Sequence, residues 1–294
     1  MIKQYILKRI SMSQEPNKEQ IDNLIKIGLN EDIGLGDITT RSIVSADQIY
    51  EAEILARNNM VLCGLDITKA VFHHLDSNAY YSGISFNDGD IVPGGSNILR
   101  IKGRGVALLE GERLALNILQ RLCGIASLTR EFVERADSVE ILDTRKTTPG
   151  LRVFEKYAVH CGGGKNHRFG LHDAVIIKDN HIKAAGGIIP AVKKVKKHNG
   201  SAMSIEVETT TLDEVKDAIE AKSDTIMLDN MPLQKIKEAV QLIDGRARIE
   251  VSGTVSLNNI ADLSKIGIDC VSVGALTHSP NSADISMNFI SGAP

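Results

Sequence analysis

The sequence predicts an α/β protein in which a small α+β region precedes an α/β barrel. Three observations carry the prediction. Between about residues 50 and 105, short apolar segments are broken by turn-forming residues. Beyond residue 121, apolar runs alternate with helical stretches at intervals of roughly 20–30 residues, the rhythm of βα units and a parallel sheet. Those apolar runs end in polar and charged residues, which is where barrel enzymes place their chemistry.

Taken in order, residues 17–30 read as a helix, with Ile21, Leu24, Ile25 and Leu29 at helical spacing. AEILA, MVLCG and ILRIKG then read as strands, separated by Asn58-Asn59, Asn87-Asp88-Gly89 and Pro93-Gly94-Gly95. VALLEGERLALNILQR, residues 106–121, forms an amphipathic helix leading onward. After it the apolar runs end near Leu142, Ile177, Val207, Leu228, Val251 and Val273. Helices are predicted over 188–198, 212–220, 232–243 and 257–265, with Pro232 in the first turn of the third. Six strands fall short of a closed eight-stranded barrel. There is no G-x-G-x-x-G, and CGGGKNH lacks the spacing and the Ser/Thr of a Walker A loop, so dinucleotide and NTP binding have no support.

A chain of 294 residues, 43 % hydrophobic and 24 % charged, suits one large globular domain or two ordinary ones. No apolar run approaches the ~20 residues of a membrane span. MIKQYILKRISMSQEP lacks the cleavage site of a signal peptide. Cys63, Cys123, Cys161 and Cys270 are far apart in sequence with no CxxC pair, which points to core packing in a reducing cytoplasm. A net charge of −3 argues against a general nucleic-acid binder, and the run Lys193–His198 reads as a solvated helix face. The charge is nonetheless uneven: from Thr144 to Lys178 seven Lys/Arg face two acids, a local patch suited to a small anion.

The strand ends locate that patch. The first offers Asp143-Thr144-Arg145-Lys146, the second Lys178-Asp179-Asn180-His181, the third Glu206-Val207-Glu208. The fourth offers Asp229-Asn230, the fifth Ser252-Gly253-Thr254, the last Gly274-Ala275. In the third strand Glu206 and Glu208 share a face, which the apolar pair Ile205 and Val207 turns toward the barrel interior. Arg145, Arg168 and Lys178 could bind carboxylates, each charge-assisted bond contributing roughly 1.5–3 kcal/mol. Glu208 and Asp229 could hold Mg²⁺ or accept from sugar hydroxyls. Gly253 and Gly274 let backbone N–H groups approach a phosphate.

At this point the residues match a family. EDIGLGDITT (31–40), GERLALNILQRLCGIASLT (111–129), DTRKTTPGLR (143–152) and KYAVHCGGGKNHRFGLHDAVIIKDNH (156–181) resemble motifs of the quinolinate phosphoribosyltransferases. IEVE (205–208), MLDN (227–230) and VGALTHS (273–279) follow in the family's order, so the resemblance runs nearly end to end. It implies an α+β open-sandwich N-terminal domain over 1–121, rejoined by 276–294, followed by an incomplete α/β barrel over 122–275. It implies transfer of phosphoribose from 5-phosphoribosyl-1-pyrophosphate to quinolinate with Mg²⁺, giving nicotinate mononucleotide, pyrophosphate and CO₂ for NAD biosynthesis. Carried over by motif, Arg145, Arg168, Lys178 and His167 bind quinolinate, with Thr144 and Thr147 beside them. Lys146, Glu208 and Asp229 act on the phosphoribosyl substrate, and the two acids serve its metal, directly or indirectly. Ser252, Gly253, Thr254, Val273, Gly274 and Ala275 form the phosphate loops. Arg113, in GER, matches an arginine that the family donates from the neighbouring subunit, which implies a homodimer or higher assembly in the cytoplasm, without nucleic-acid or membrane partners. One departure stands out: the family has SGG where this chain has Ser252-Gly253-Thr254. A threonine there either crowds the phosphate or offers it a hydroxyl. A phosphoribosyltransferase for another pyridine or azole acid, and a non-catalytic anion binder, are the alternatives. A cation trio suits a diacid over a monoacid, and joint retention of Lys146, Glu208 and Asp229 favours catalysis over mere binding.

Overall fold

The structure is a computed structural model and describes residues 15–199, 203–253 and 255–292. By packing, the chain divides into two units: Met1–Leu128, Thr148–Gly163 and Ser279–Pro294 in the first, Thr129–Thr147 and Gly164–His278 in the second.

In the first unit, helix α1 (Lys18–Ile33) begins at a capping box in which Asn17 and Gln20 satisfy each other's backbone N–H. It buries Ile25 and Leu29, as their spacing requires. After α2 (Ile38–Ile43), capped by Asp37, comes β1 (Ile49–Ala56), whose inward residues Ala52, Ile54 and Ala56 alternate with more exposed ones. Then follow β2 (Met60–Val61), α3 (Leu65–Leu75), β3 (Tyr80–Ser82), β4 (Ile91–Val92) and β5 (Asn97–Arg104). Strand β12 (Ile285–Gly292) returns from the far end of the chain, giving the antiparallel order β12-β1-β5-β3. Phe72, Ile25, Ile54, Ile98 and Leu108 fill the core under this sheet. Burying each such side chain contributes about 1.5–3 kcal/mol.

The helix expected over 106–121 is longer: α4 runs Gly105–Arg135. Ile125, Ala126 and Phe132 continue its buried face, so the apolar period outlasts Gly124. That glycine is there for closeness. A Cβ on it would lie 2.1 Å from the Asn281 carbonyl oxygen of the returning segment. Helix α5 (Arg152–Cys161) also packs in this unit, where buried Glu155 accepts from the Thr148 N–H (3.0 Å) and from Arg121 Nη2 (2.8 Å). Cys63, Cys161 and Asp88 converge here, their ligand-type atoms within 4.8 Å of one another. Asp88 is occupied by the N–H groups of Gly64 (2.8 Å) and Leu65 (3.1 Å) at the start of α3, and by the Tyr157 hydroxyl (2.9 Å). Burial pushes the Cys63 thiol well up, so it keeps its proton.

The second unit holds β6 (Glu140–Leu142), β7 (Val175–Ile177), β8 (Ile205–Thr209), β9 (Thr225–Asp229), β10 (Arg248–Ser252) and β11 (Cys270–Ser272). All neighbours are parallel, in the order β6-β11-β10-β9-β8-β7. The order follows the chain round a ring that is open between β6 and β7, an incomplete barrel. The free edge of β6 is taken by Lys165, whose N–H bonds the Ile141 carbonyl (2.8 Å) and whose carbonyl receives the Asp143 N–H (3.2 Å).

The connecting helices are α6 (Asp179–Ala185), α7 (Ile188–Asn199), α8 (Leu212–Glu220), α9 (Leu233–Ile243), α10 (Ile260–Leu263) and α11 (Ala275–His278). Three agree closely with the predicted spans. Two corrections are needed. Pro232 is the extended N-cap of α9, not part of its first turn, because its φ of −61° is paired with ψ 148°. The stretch predicted helical over 257–265 is regular only across Ile260–Leu263, flanked by turns, since its apolar positions are too few to sustain a longer helix.

Candidate active site

The C-terminal ends of the parallel strands surround a cavity of about 430 Å³ lined by Thr144, Arg145, Lys146, His167, Arg168, Lys178, Glu208, Asp229, Ser252 and Gly253. Residues from all six strand ends thus meet, with Ser272 completing the set. Ile176, Met227, Asn230 and Ser272 also line it, and the sequence reading did not assign them.

Local anchors place each group. Asp143, fully buried past the end of β6, accepts the His167 N–H (2.9 Å) and the Asn166 side-chain amide (2.6 Å). This ties the segment after Lys165 to the strand end and delivers His167 and Arg168 to the mouth. Arg168 Nη1 donates to the Ala174 carbonyl (3.1 Å), while its Nε is buried without a partner. Burial, and then the neighbouring Arg145 guanidinium, push the Arg168 pKa down from its ordinary value. Two crowded cations gain from an anion between them.

Lys178 is the N-cap of α6, its N–H bonded to His181 Nδ1 (3.0 Å), and its ammonium reaches Glu208 (2.8 Å). Glu208 therefore lies against a cation that the sequence reading reserved for substrate. Asp229, at the end of β9, accepts from the Asn230 amide (2.8 Å). Asn230 is left-handed (φ 52°) and donates its N–H to the Ser252 carbonyl (3.0 Å). Gly253 must be a glycine here: its φ is +106°, and a Cβ would lie 2.3 Å from Asn230 Oδ1. Lys146 N–H donates to Thr144 Oγ1 (3.0 Å), and the Lys146 carbonyl accepts from Thr277 (2.8 Å). The bare Cα of Gly274 leaves room for the Lys146 stem, whose Cδ would be 3.0 Å from a Cβ there.

The ring of His167 points into the barrel. Its Nε2 lies 3.2 Å from Glu206 and 3.5 Å from Glu250, and its Nδ1 receives the Arg168 N–H at 2.8 Å. Burial lowers the His167 pKa, while the two carboxylates favour a proton on Nε2 and outweigh it, so the pKa is raised. The short approach at Nδ1 opposes a second ring proton, since that proton would meet the Arg168 N–H. The Nδ1 contact leaves a neutral ring with its single proton on Nε2, facing the two carboxylates. Glu206 and Glu208 do share the inward face, at two depths. Glu250 is the residue that strand pattern alone concealed, because IEVS reads as a run with one incidental acid.

Of the remaining expected site residues, Val273 is buried, its N–H bonded to the Leu142 carbonyl (2.9 Å), and Ala275 opens α11; neither these nor Thr147 and Gly274 line the cavity. Arg113 is exposed on α4 in the first unit. Thr254 lies outside the described residues.

Fold and cavity together define an α/β-barrel enzyme that takes an anionic small molecule beside paired carboxylates. The family description "Quinolinate phosphoribosyl transferase, C-terminal domain" matches residues 125–288, and the corresponding N-terminal domain matches 37–123. The chain is 44 % identical over 274 residues to a probable nicotinate-nucleotide pyrophosphorylase (carboxylating) of Bacillus subtilis, covering 92 % of this chain and 94 % of that one. It is 41 % identical over 302 residues to the chloroplastic nicotinate-nucleotide pyrophosphorylase (carboxylating) of Arabidopsis thaliana, covering 95 % and 86 %. The crystal structure of NadC from Streptococcus pyogenes superposes with a TM-score of 0.89 at 41 % identity, covering 94 % of this chain and 99 % of that one. The chain belongs to the quinolinate phosphoribosyltransferase family.

Proposed function

We propose that the chain joins quinolinate to 5-phosphoribosyl-1-pyrophosphate and releases pyrophosphate and CO₂, forming nicotinate mononucleotide for NAD biosynthesis. The observation that carries this reading is the cavity where Arg145, Lys146, Arg168 and Lys178 face Glu208 and Asp229 at the strand ends. Arg145, Arg168 and Lys178 grip the two carboxylates of the pyridine, with His167 beside them. Lys146 neutralises the departing pyrophosphate, and Ser252 and Gly253, with Gly274 beside the Lys146 stem, receive the 5-phosphate. As the C1–O bond breaks, positive charge grows on the ribose, and Glu208 and Asp229 stabilise it. The clamped pyridine nitrogen then forms the new bond to C1. The alkylated ring withdraws electrons, the adjacent C–CO₂⁻ bond breaks, and the carbon left behind takes up a proton.

Glu208 and Asp229 also suit Mg²⁺, a hard cation that binds through one or two carboxylates and keeps water and phosphate oxygens as its other ligands. When bound, the ion supplies charge neutralisation to the pyrophosphate. EDTA is expected to abolish turnover and added Mg²⁺ to restore it; undiminished activity in the chelator removes the metal from the reading.

Arg113 completes the site from the partner subunit of a homodimer, and the cysteine pattern favours the cytoplasm. Among the described residues no helix is long and apolar enough to cross a membrane. The test is an assay of CO₂ and nicotinate mononucleotide with quinolinate as substrate and nicotinate as control. Arg145→Ala should lower kcat/KM for quinolinate at least tenfold, and an unchanged value excludes this arginine from the site.

A further inference from the structure

Barrel interiors are normally filled by branched apolar side chains. This one holds two acids below the mouth. Glu250 is 2 % exposed on β10, opposite Met227 of β9 and Cys270 of β11. Glu206 stands two residues before Glu208 on β8. Each turns one oxygen toward His167 Nε2, and the other oxygen of each, Oε1, is buried without a hydrogen-bond partner. Orphaned carboxylate oxygens weaken a fold, so a sequence selected for stability alone would not keep them.

The trio His167, Glu206 and Glu250 has its ligand-type atoms within 4.8 Å of one another, a spacing a cation could use. The ring's other nitrogen decides against a metal. Metal-bound histidines donate their second N–H outward, whereas Nδ1 here accepts the Arg168 N–H (2.8 Å). A metal on Nε2 would leave the imidazole with no proton at all. The group on Nε2 is therefore a hydrogen.

We infer that Glu206 and Glu250 are positioning residues for His167: they hold its Nε2–H and so fix the ring's tautomer and its orientation at the cavity floor. The residue is held at three points, its ring at both nitrogens and its backbone N–H by Asp143 (2.9 Å). Rotation of the ring would break the contacts at both nitrogens at once. A ring locked in this way presents one fixed edge to the bound acid and needs no reordering when it arrives. The inference deepens the proposed function and rests on it for the identity of the acid.

Two measurements test it. In protein labelled with ¹⁵N-histidine, His167 is assigned by the resonance lost in His167→Gln. The wild type should show a far-downfield proton on Nε2 that moves upfield in Glu250→Gln. A ring that carries a proton on Nδ1 in the wild type, alone or together with Nε2, overturns the inference, as does an Nε2–H unmoved in both Glu250→Gln and Glu206→Gln. In steady-state assays Glu250→Gln should raise the KM for quinolinate at least tenfold and change the KM for 5-phosphoribosyl-1-pyrophosphate less than twofold. An equal rise in both marks a merely structural role and also overturns it. The resonance measurement needs no substrate, so a wild type that does not turn over quinolinate refutes the proposed function while the positioning role is still decided. If Glu250→Gln does not fold, the wild-type spectrum alone remains decisive.

Discussion

Arg168 donates to the Ala174 carbonyl, and burial first, then the neighbouring Arg145 guanidinium, push its pKa down. Such repulsion is a store of binding energy that a dianion releases. The residue scale also explains why small residues are indispensable at this mouth. At Gly253 the positive φ and the proximity of Asn230 leave no volume for a methyl group. Gly253→Ala must either shift the Asp229-Asn230 corner or accept strain of about 1–3 kcal/mol. Since a misplacement near 1 Å can cost about a hundredfold in rate, we expect kcat/KM to fall by about tenfold to a hundredfold. Kinetics of Gly253→Ala that match the wild type contradict this packing. The sequence disclosed the charged residues here because their type betrays their chemistry. It hid Glu250, and it set Asn230 at a strand end without a role, because those roles depend on what faces the side chains across the barrel.

At the scale of elements, two acids act as fasteners. Glu155 is fully buried in α5 and binds Arg121 and Thr148 together. Removing one member of a buried pair leaves the other charge uncompensated, so Glu155→Ala should destabilise the fold by about 3–5 kcal/mol. Denaturant unfolding measures the loss, and a change below about 1 kcal/mol would mean that the site relaxes by admitting water. Asp76, the C-cap of α3, accepts the N–H groups of Arg104 (2.9 Å) and Asn78 (3.1 Å). Burial alone would raise its pKa, but these N–H groups and the Arg104 guanidinium hold it below 3.8. A depressed carboxylate contributes stability fully present above its unfolded pKa of about 3.9 and lost as pH falls through the folded value. Asp76→Asn should therefore be less stable than the wild type by about 1–3 kcal/mol at neutral pH. The gap should shrink on acidification toward pH 3, and a constant gap would show that the Asp76 charge plays no part. Apolar spacing placed α7, α8 and α9 well, yet ended α4 at 121, short of Arg135, where the helix runs on past Gly124 against the Asn281 carbonyl.

For the whole molecule, the net charge of −3 conceals a cationic cavity, so association with an anionic substrate should be sensitive to salt even though the protein is mildly acidic. The quinolinate KM is expected to rise with ionic strength while kcat changes little, and a salt-independent KM would mean that the cavity charges are already neutralised from within. The proposed sharing of Arg113 across a dimer gives a complementation test. Arg113→Ala and Arg145→Ala, each nearly inactive alone, should regain activity when mixed under conditions that exchange subunits. Absence of any gain, with exchange verified, assigns Arg113 to its own chain's surface.

Side-chain type and spacing alone carry the periodicities: six apolar runs alternating with helices, a strand-rich first region, and polar groups set at the strand ends. These are local properties, fixed by side-chain type and spacing, and they suffice for the fold class and for most of the cavity's charged residues. Which strands are neighbours is a property of the folded chain. Folding placed β11 beside β6, opened the ring at β7 and turned Glu250 toward a histidine 83 positions earlier in the chain. Such pairings join residues distant in sequence, and no local preference encodes them. They follow from burying all the apolar faces at once, which only the folded chain does.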